Sequence, residues 1–252
     1  MNKIGIALSG GGVRGVAHLG VLQYLAEIGI NPSIISGSSA GSLIGAFYAA
    51  GYSPLEIYNI SKTEKFFSFP TTLTRSGLFD PNIFEKILKK HIEHDKLESL
   101  KIPLYVTATD LTNAKLLLFN KGSLSNAVKA SCCVPLVFQP VLYEGAYLSD
   151  GGILDNFPIG AIENRCDKII GVYVNSIRKI EGKLSYKEIV ERTIQVSLMN
   201  NVYAKISKCT VYIEPPNMSS FSTFDFKKID EIYEAGYTHA QTLKAELLKL
   251  IE

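Results

Sequence analysis

The stretch SIISGSSAGSLIGAFYAAG, residues 33–51, decides the fold of this protein. Its first five residues predict a short buried strand, and Ala40–Ala50 predict a helix that Gly51 closes. Between strand and helix lies the pentapeptide Gly37-Ser38-Ser39-Ala40-Gly41, a G-x-S-x-G motif. The chain must therefore turn sharply from strand to helix around Ser39.

A serine at such a junction is typical of a nucleophile elbow. The turn is so tight that the residues two before and two after the serine, Gly37 and Gly41, must lack a Cβ atom. The serine is then presented at the carboxyl edge of the sheet, where α/β folds bind ligands. The N-terminus of the following helix favours developing negative charge. The alternative is a small-residue turn that only permits close packing, but the placement favours Ser39 as a nucleophile.

The same arrangement precedes this unit. Ile4–Ser9 predict a buried strand, and Gly15–Ile28 predict a helix that ends at Gly29. Two successive strand-turn-helix units imply a parallel sheet with helices on its faces. Further strands are predicted over 104–109, 168–175 and 211–214, and long amphipathic helices over 186–206 and 226–251.

The first turn reads Gly10-Gly11-Gly12-Val13-Arg14-Gly15. It offers unhindered backbone N–H groups at a helix N-terminus, which an oxyanion hole needs. Arg14 is expected either to hold the loop or to attract an anionic head group. Dinucleotide binding also fits G-x-G-x-x-G, but it requires an acidic residue about 20 positions later, where the chain has none. A P-loop is excluded because no Lys-Ser/Thr pair follows Gly15.

A third motif, Asp150-Gly151-Gly152, follows the segment Ala146–Ser149. A carboxylate before two glycines can lie where other backbone approaches closely. Taken alone, the motif is more simply an ordinary Asp-Gly turn.

Together and in this order, the three motifs resemble the patatin-like phospholipase family. The resemblance extends to Ala130-Ser131-Cys132-Cys133-Val134-Pro135 and to Asp155-Asn156-Phe157-Pro158. It covers about residues 4–160 clearly and the tail around 225–236 more loosely. The chain looks most similar to the small single-domain bacterial members.

This resemblance implies an α/β fold, a three-layer α/β/α sandwich with a mostly parallel central sheet, in a single domain over residues 1–252. It implies a serine hydrolase of fatty acyl esters of lipids, with no cofactor, no metal and no catalytic histidine. By position, Ser39 is the nucleophile and Asp150 the base, and Gly10, Gly11, Gly12 and the Arg14 N–H form the oxyanion loop. The supporting glycines are Gly15, Gly37, Gly41, Gly151 and Gly152. An acyltransferase or thioesterase, and a non-enzymatic lipid-binding protein, stay open as alternatives.

The four histidines are His18, His91, His94 and His239. His239 falls inside the last predicted helix, where a surface role is favoured over that of a triad base. His18 lies one turn into the first helix, and we expect it to have a packing role. His91 and His94 are three positions apart. For this pair a solvated helix face is favoured over a metal site.

Composition limits the remaining functions. With 252 residues, 46% of them hydrophobic, the chain can build one large core without disulfides. A net charge of +2 and the lack of a basic run argue against nucleic acid as a partner. The cysteines form no C-x-x-C pair, so we expect reduced thiols in a cytosolic protein. No secretory signal or membrane span is apparent, so we expect a cytoplasmic enzyme that meets a lipid ester at a membrane surface or as a monomer.

Residues 62–80 form an irregular segment with four phenylalanines beside basic residues: Phe66, Phe67, Phe69 and Phe79 with Lys62, Lys65 and Arg75. Two interpretations remain open. The segment is either a lid that contacts a membrane surface transiently or a loop packed on the domain. The oligomeric state cannot be read from the sequence.

Overall fold

The structure, a computed structural model, describes residues 3–64, 66, 78–177, 182–199, 202–223 and 226–252. Within them, eight strands form one sheet: β1 Ile4–Leu8, β2 Ile34–Ser38, β3 Leu104–Asp110, β4 Lys115–Phe119, β5 Val141–Tyr143, β6 Ala146–Asp150, β7 Lys168–Val172 and β8 Val211–Ile213. The strand order is β5-β6-β3-β2-β1-β7-β8, and β4 also pairs with β3. The two strand-turn-helix units therefore lie side by side at the centre of the sheet.

Five strands run parallel: β3, β2, β1, β7 and β8. The remaining three, β4, β5 and β6, are antiparallel and complete one end of the sheet. The prediction of a mostly parallel sheet is confirmed. The antiparallel end was not predicted, because its strands are only three to five residues long and the pairing of β6 with β3 joins separate parts of the chain.

Ten helices are described: α1 Val16–Glu27, α2 Ala40–Ala50, α3 Pro54–Thr63, α4 Asn82–His91, α5 Leu124–Ser131, α6 Gly152–Asp155, α7 Tyr186–Leu198, α8 Tyr203–Ile206, α9 Ile229–Thr242 and α10 Lys244–Leu248. The larger apolar core lies between the sheet and a layer that includes α1, α2, α4, α5 and α9. A smaller core around Phe157 and Tyr173 lies on the opposite face. These two cores, one on each face of the sheet, make the predicted three-layer sandwich.

Both long helices predicted in the C-terminal third are shorter in the structure. The first, over 186–206, is divided into α7 and α8, since the Met199 N–H bonds three residues back to Val196. The second, over 226–251, starts as a 3₁₀ turn and is broken between α9 and α10 at Leu243, whose N–H bonds to Ala240. Bonds of this i→i−3 type tighten and end an α-helix.

Most of the predicted lid, residues 62–80, lies outside the described residues. Of its phenylalanines, Phe66 is 2% exposed and stacks on Phe47 of α2 with ring centroids 5.2 Å apart. Phe79 forms a β-bridge with Phe138. Phe66 is thus a core residue, and its buried side chain is not placed to contact a membrane. No helix in the described ranges is both long and apolar enough to cross a bilayer.

Candidate active site

Ser39 occupies the turn between β2 and α2 with φ 49° and ψ −123°, in the left-handed region that side chains rarely adopt. A Cβ on Gly37 would lie 2.5 Å from the Gly41 carbonyl oxygen, and one on Gly41 would overlap Leu8 of β1. Both positions therefore require glycine. The Ser39 N–H donates to the Ser131 hydroxyl at 2.8 Å, which fixes the turn from the end of α5.

The ends of β2 and β6 meet along the same edge of β3. On the other edge, β4 pairs with residues 106–110 of β3. Ser38 is paired with Thr107, and Asp150 is paired with Ala108, the next residue of β3. Because β2 runs parallel to β3 and β6 runs antiparallel, the two strands approach each other end to end. This register brings Ser39 and Asp150 to the same level of the sheet.

The Ser39 hydroxyl lies close enough to the carboxylate of Asp150 to act on its pKa as a hydrogen-bond donor. The Gly152 N–H donates to Asp150 Oδ1 at 2.7 Å, and the side chain is only 4% exposed. Burial raises the pKa of Asp150 to about 6 from its ordinary 3.8, while the bonds from Ser39 and Gly152 act to lower it. A carboxylate with this pKa is a stronger base than one in water and is still ionised at neutral pH.

The glycine loop follows β1 and passes beside Ser39. A Cβ on Gly10 would lie 3.1 Å from the Ser39 Cβ atom. The Gly10 N–H donates to the Asn156 carbonyl at 3.1 Å, and the Arg14 N–H donates to the Gly11 carbonyl at 3.2 Å. Among the described residues, the N–H groups of Gly11 and Gly12 have no acceptor. Of the four amides predicted for the oxyanion loop, these two are thus available to a ligand.

Two contacts determine the shape of this loop. Gly12 has φ +56°, and a Cβ there would lie 2.6 Å from the Thr223 carbonyl oxygen, so only glycine fits without strain. The Asn175 side chain donates from Nδ2 to the Gly10 carbonyl oxygen. Because the peptide plane is rigid and trans, this bond also fixes the direction of the Gly11 N–H, which points opposite to that carbonyl.

Arg14 holds the loop and does not face an anionic head group. Its side chain is 2% exposed, and Nε donates to the Phe221 carbonyl oxygen at 2.8 Å. Gly15 lets the first helical turn pack on α2, since a Cβ there would lie 2.7 Å from the Ala40 Cβ. Gly151 passes against the Thr107 carbonyl in the same way.

None of the histidines is hydrogen-bonded to Ser39 or Asp150 in the part of the chain that is described. His18 is fully buried, its Nε2 lies 2.8 Å from the Ser9 carbonyl oxygen, and burial lowers its pKa to about 4. His239 is half-buried in α9, and burial lowers its pKa as well. His91 lies 3.0 Å from Glu64, and His94 is exposed. The described residues contain no group of three or more side chains suited to a metal ion.

The buried thiols of Cys132 and Cys133 lie close to Ser39 but are not activated. Cys132 Sγ donates to the Ser39 carbonyl oxygen at 3.4 Å, and Cys133 is fully buried beside it. Burial raises the pKa of both thiols, with the charge of Asp150 adding to the effect. All four cysteines are free.

Sequence reasoning missed two asparagines of this site, Asn175 and the side chain of Asn156. In the sequence, Asn156 stands out only as part of the D-N-F-P stretch, and Asn175 only as the last residue of a predicted strand. The position of Asn175 at the carboxyl end of a parallel strand was the available indication, because such ends gather at the ligand-binding edge.

Residues 6–162 match the family model of the patatin-like phospholipases, which is more than half of the chain. The chain belongs to the patatin-like phospholipase family. Among curated relatives, it is 30% identical over 276 residues to a protein named lysophospholipase NTE1 from Coccidioides immitis, covering 93% of this chain and 17% of that protein. Its identity to the protein of the same name from Meyerozyma guilliermondii is 28% over 276 residues, covering 95% of this chain and 19% of the relative. This patatin-like chain thus spans about a fifth of the length of those relatives.

Two solved structures share the fold of this family member. VipD from Legionella pneumophila superposes with a TM-score of 0.55 at 16% identity, over 96% of this chain and 66% of that one. ExoU, in its complex with SpcU from Pseudomonas aeruginosa, gives 0.52 at 15% identity, over 98% and 52% of the two chains. At such low identity the likeness concerns the fold alone.

Proposed function

We propose that this protein hydrolyses fatty acyl esters of lipids with a two-residue catalytic unit, Ser39 and Asp150. The observation that carries the proposal is the close approach of the Ser39 hydroxyl to the buried Asp150 carboxylate at the meeting ends of β2 and β6. The unpartnered amides of Gly11 and Gly12 lie in the loop that passes beside this pair. Family membership supports ester hydrolysis as the chemistry.

In the first half of the reaction, Asp150 accepts the Ser39 proton as the hydroxyl oxygen attacks the ester carbonyl. The carbonyl oxygen becomes an oxyanion, which the Gly11 and Gly12 N–H groups stabilise. Asp150 then returns the proton to the leaving alcohol or lysolipid. The fatty acyl group remains bonded to the Ser39 oxygen.

In the second half, water attacks the acyl-enzyme while Asp150 takes one of its protons. The tetrahedral intermediate collapses, the fatty acid leaves, and the proton returns to Ser39. A raised pKa suits Asp150 for both halves, because a carboxylate that binds protons more tightly is a better base.

For the substrate class, we propose lysophospholipids first. The support is that the relatives with 28–30% identity carry the name lysophospholipase. We further propose that residues 1–252 work as one domain, because a single core connects the sheet to helices from both halves of the chain, including α1 and α9. Contact with a membrane surface stays a prediction.

The proposal is tested with purified wild-type protein and four variants: Ser39→Ala, Asp150→Asn, His18→Ala and His239→Ala. Hydrolysis of a p-nitrophenyl acyl ester and of a panel of lipids is followed, the latter by mass spectrometry. We expect the Ser39 and Asp150 variants to lose activity by about 10³-fold or more, since the members of such a unit act together. His239→Ala is the matched control, and it should keep the wild-type rate.

A fluorophosphonate probe provides a second measurement, because it reacts only with an activated serine. We expect a single adduct on Ser39 in the wild-type protein and none in Ser39→Ala. If Asp150→Asn retains the wild-type rate while a histidine variant is inactive, the two-residue unit is wrong. If the wild-type protein neither reacts with the probe nor releases fatty acid, a lipid-binding role replaces the enzymatic one.

A further inference from the structure

Asn156 combines deep burial with an unused hydrogen-bonding capacity. The residue is 3% exposed, and among the described residues neither Oδ1 nor Nδ2 of its side chain has a hydrogen-bond partner. Buried polar groups in native proteins are nearly always satisfied, and an unsatisfied carboxamide destabilises the folded state. A carboxamide with both of its polar atoms unsatisfied calls for a physical explanation.

The position of this carboxamide is next to the nucleophile. Asn156 directly follows α6, the short helix that begins two residues after Asp150. Its backbone carbonyl accepts the Gly10 N–H at 3.1 Å. A Cβ placed on Gly10 would overlap Asn156 Oδ1 and would lie 3.1 Å from the Ser39 Cβ. The Asn156 side chain and Ser39 therefore contact the same face of the glycine loop.

A comparison with Asn175 shows that burial beside the loop does not by itself leave an amide unused. Asn175 is also buried and also borders Gly10, yet its Nδ2 is bonded to the Gly10 carbonyl oxygen. The loop carbonyl thus has its donor already. The carboxamide of Asn156 is left without a partner among the described residues, and it borders the same loop beside Ser39.

We infer that Asn156 is a further catalytic residue, which donates a hydrogen bond from Nδ2 to the substrate carbonyl oxygen as that oxygen becomes an oxyanion. The inference rests on the proposed ester hydrolysis at Ser39. A neutral side-chain donor beside backbone N–H groups is an established composition for an oxyanion hole. The ligand supplies the partner that the protein lacks, so the carboxamide becomes satisfied only when substrate is bound.

The decisive variant is Asn156→Leu, which keeps the shape of the side chain and removes its polar atoms. At about pH 8, above the pKa of Asp150, we expect kcat to fall by about 10²- to 10³-fold and KM to stay within a factor of about three. The rate of labelling by a fluorophosphonate should fall in parallel. The Tm should stay the same or rise, because an unsatisfied buried group is removed. A merely structural asparagine would instead lower the Tm and leave kcat unchanged.

Tyr173→Phe is the matched control. The Tyr173 hydroxyl is also buried without a partner among the described residues, and its ring packs 5.6 Å from Phe157, the neighbour of Asn156. Removing this hydroxyl should preserve or raise the Tm and leave kcat unchanged. Asn156→Asp serves as a second variant of nearly the same size, in which both Nδ2 donors are lost.

Three outcomes are distinguished. A large loss of kcat in both Asn156 variants, with the fold preserved, supports the inference. Wild-type kcat and labelling rate in either folded variant overturn it, while Ser39-dependent hydrolysis by the wild-type protein still upholds the proposed function. If the wild-type protein shows no Ser39-dependent hydrolysis or labelling, the proposed function has failed, and the inference fails with it.

Discussion

The side-chain amide of Asn175 is bonded to the carbonyl oxygen of Gly10. These two residues follow neighbouring parallel strands, β7 and β1, and lie 165 positions apart in the chain. The bond crosses the carboxyl edge of the sheet and holds one peptide of the glycine loop in a single orientation. One side chain from the second half of the chain therefore sets the geometry of a loop near its beginning.

Asn175→Leu should impair both catalysis and stability. Without its anchor the Gly10–Gly11 peptide can rotate, so we expect kcat to fall by about 10-fold or more through a misdirected Gly11 N–H. The free energy of unfolding should fall by about 1–2 kcal/mol, because a buried carbonyl loses its donor. Ester hydrolysis and urea unfolding measure the two effects. An active variant of unchanged stability would show that the bond has no such role.

The rate of ester hydrolysis should depend on the ionisation of Asp150, whose pKa burial raises to about 6. Since the base must be deprotonated, kcat/KM should rise with pH, reach half its maximum near pH 6 and remain level above it. Asp150→Asn should remove this dependence together with most of the activity. A half-maximum at pH 4 in the wild-type profile would contradict the effect of burial on this carboxyl group.

Two buried groups, Asp150 and His18, should contribute to the pH dependence of stability in opposite directions. The folded state raises the pKa of Asp150 to about 6 from 3.8, so the folded protein binds its proton more tightly and loses stability as pH rises through that interval. His18 has the opposite effect, because its pKa is lowered to about 4 from 6.5 and stability is lost as pH falls through that interval. Between about pH 4 and 6 the two effects largely cancel.

The variant Asp150→Asn separates the contribution of His18 to stability from that of Asp150. In this variant Asp150 no longer opposes His18, whose own contribution to the free energy of unfolding should fall by about 3 kcal/mol when pH is lowered from about 6.5 to 4. The wild-type protein should change much less over the same range. Urea unfolding at several pH values gives both curves. Two curves of equal slope would mean that the carboxyl group does not titrate as its burial requires.

Ser39 should be a site where activity is maintained at the expense of stability. Its φ of 49° is unfavourable for any residue with a Cβ. Both Ser39→Gly and Ser39→Ala lose the hydroxyl, but only glycine relieves the strain, so we expect the glycine variant to be more stable by about 1 kcal/mol. Ala235→Gly in α9 is the control, where glycine should destabilise by about 1 kcal/mol. Equal stability of the two Ser39 variants would rule out strain at the elbow.

The central part of the fold could be predicted because its cues are local. Short apolar runs ending in glycines define β1 and β2, and the glycines 37 and 41 specify the turn around Ser39. Asp150 was a different case, since Asp-Gly-Gly alone indicates an ordinary turn. Its role came from the order of three motifs and the family that they resemble. Asp150 reaches Ser39 because β6 pairs with β3 directly beyond the end of β2. This pairing joins distant strands, and local sequence patterns do not predict it.

The same limit applies to the polar contacts. Asn175 and Asn156 act on Gly10 across at least 146 residues of chain, and neither neighbourhood in the sequence points to the glycine loop. Arg14 was compatible with a role toward an anionic head group, but its burial and its hydrogen bond to the Phe221 carbonyl oxygen identify it as a support of the loop. Partners of this kind become visible only when the strand order is known.

Because β2 and β6 meet end to end on one edge of β3, the position of the Asp150 carboxylate depends on the pairing register of β6 against β3. Side chains alternate between the two faces of a strand, so sliding β6 by one residue against Ala108 would turn the Asp150 side chain to the opposite face. A deletion within β6 would thus keep the strand in the sheet and remove the proposed base from Ser39. A change of length in the turn at Glu144 and Gly145 would move neither reacting group. The proposed chemistry of this protein thus depends on the pairing register of its strands, whereas the turn between β5 and β6 is free to change in length.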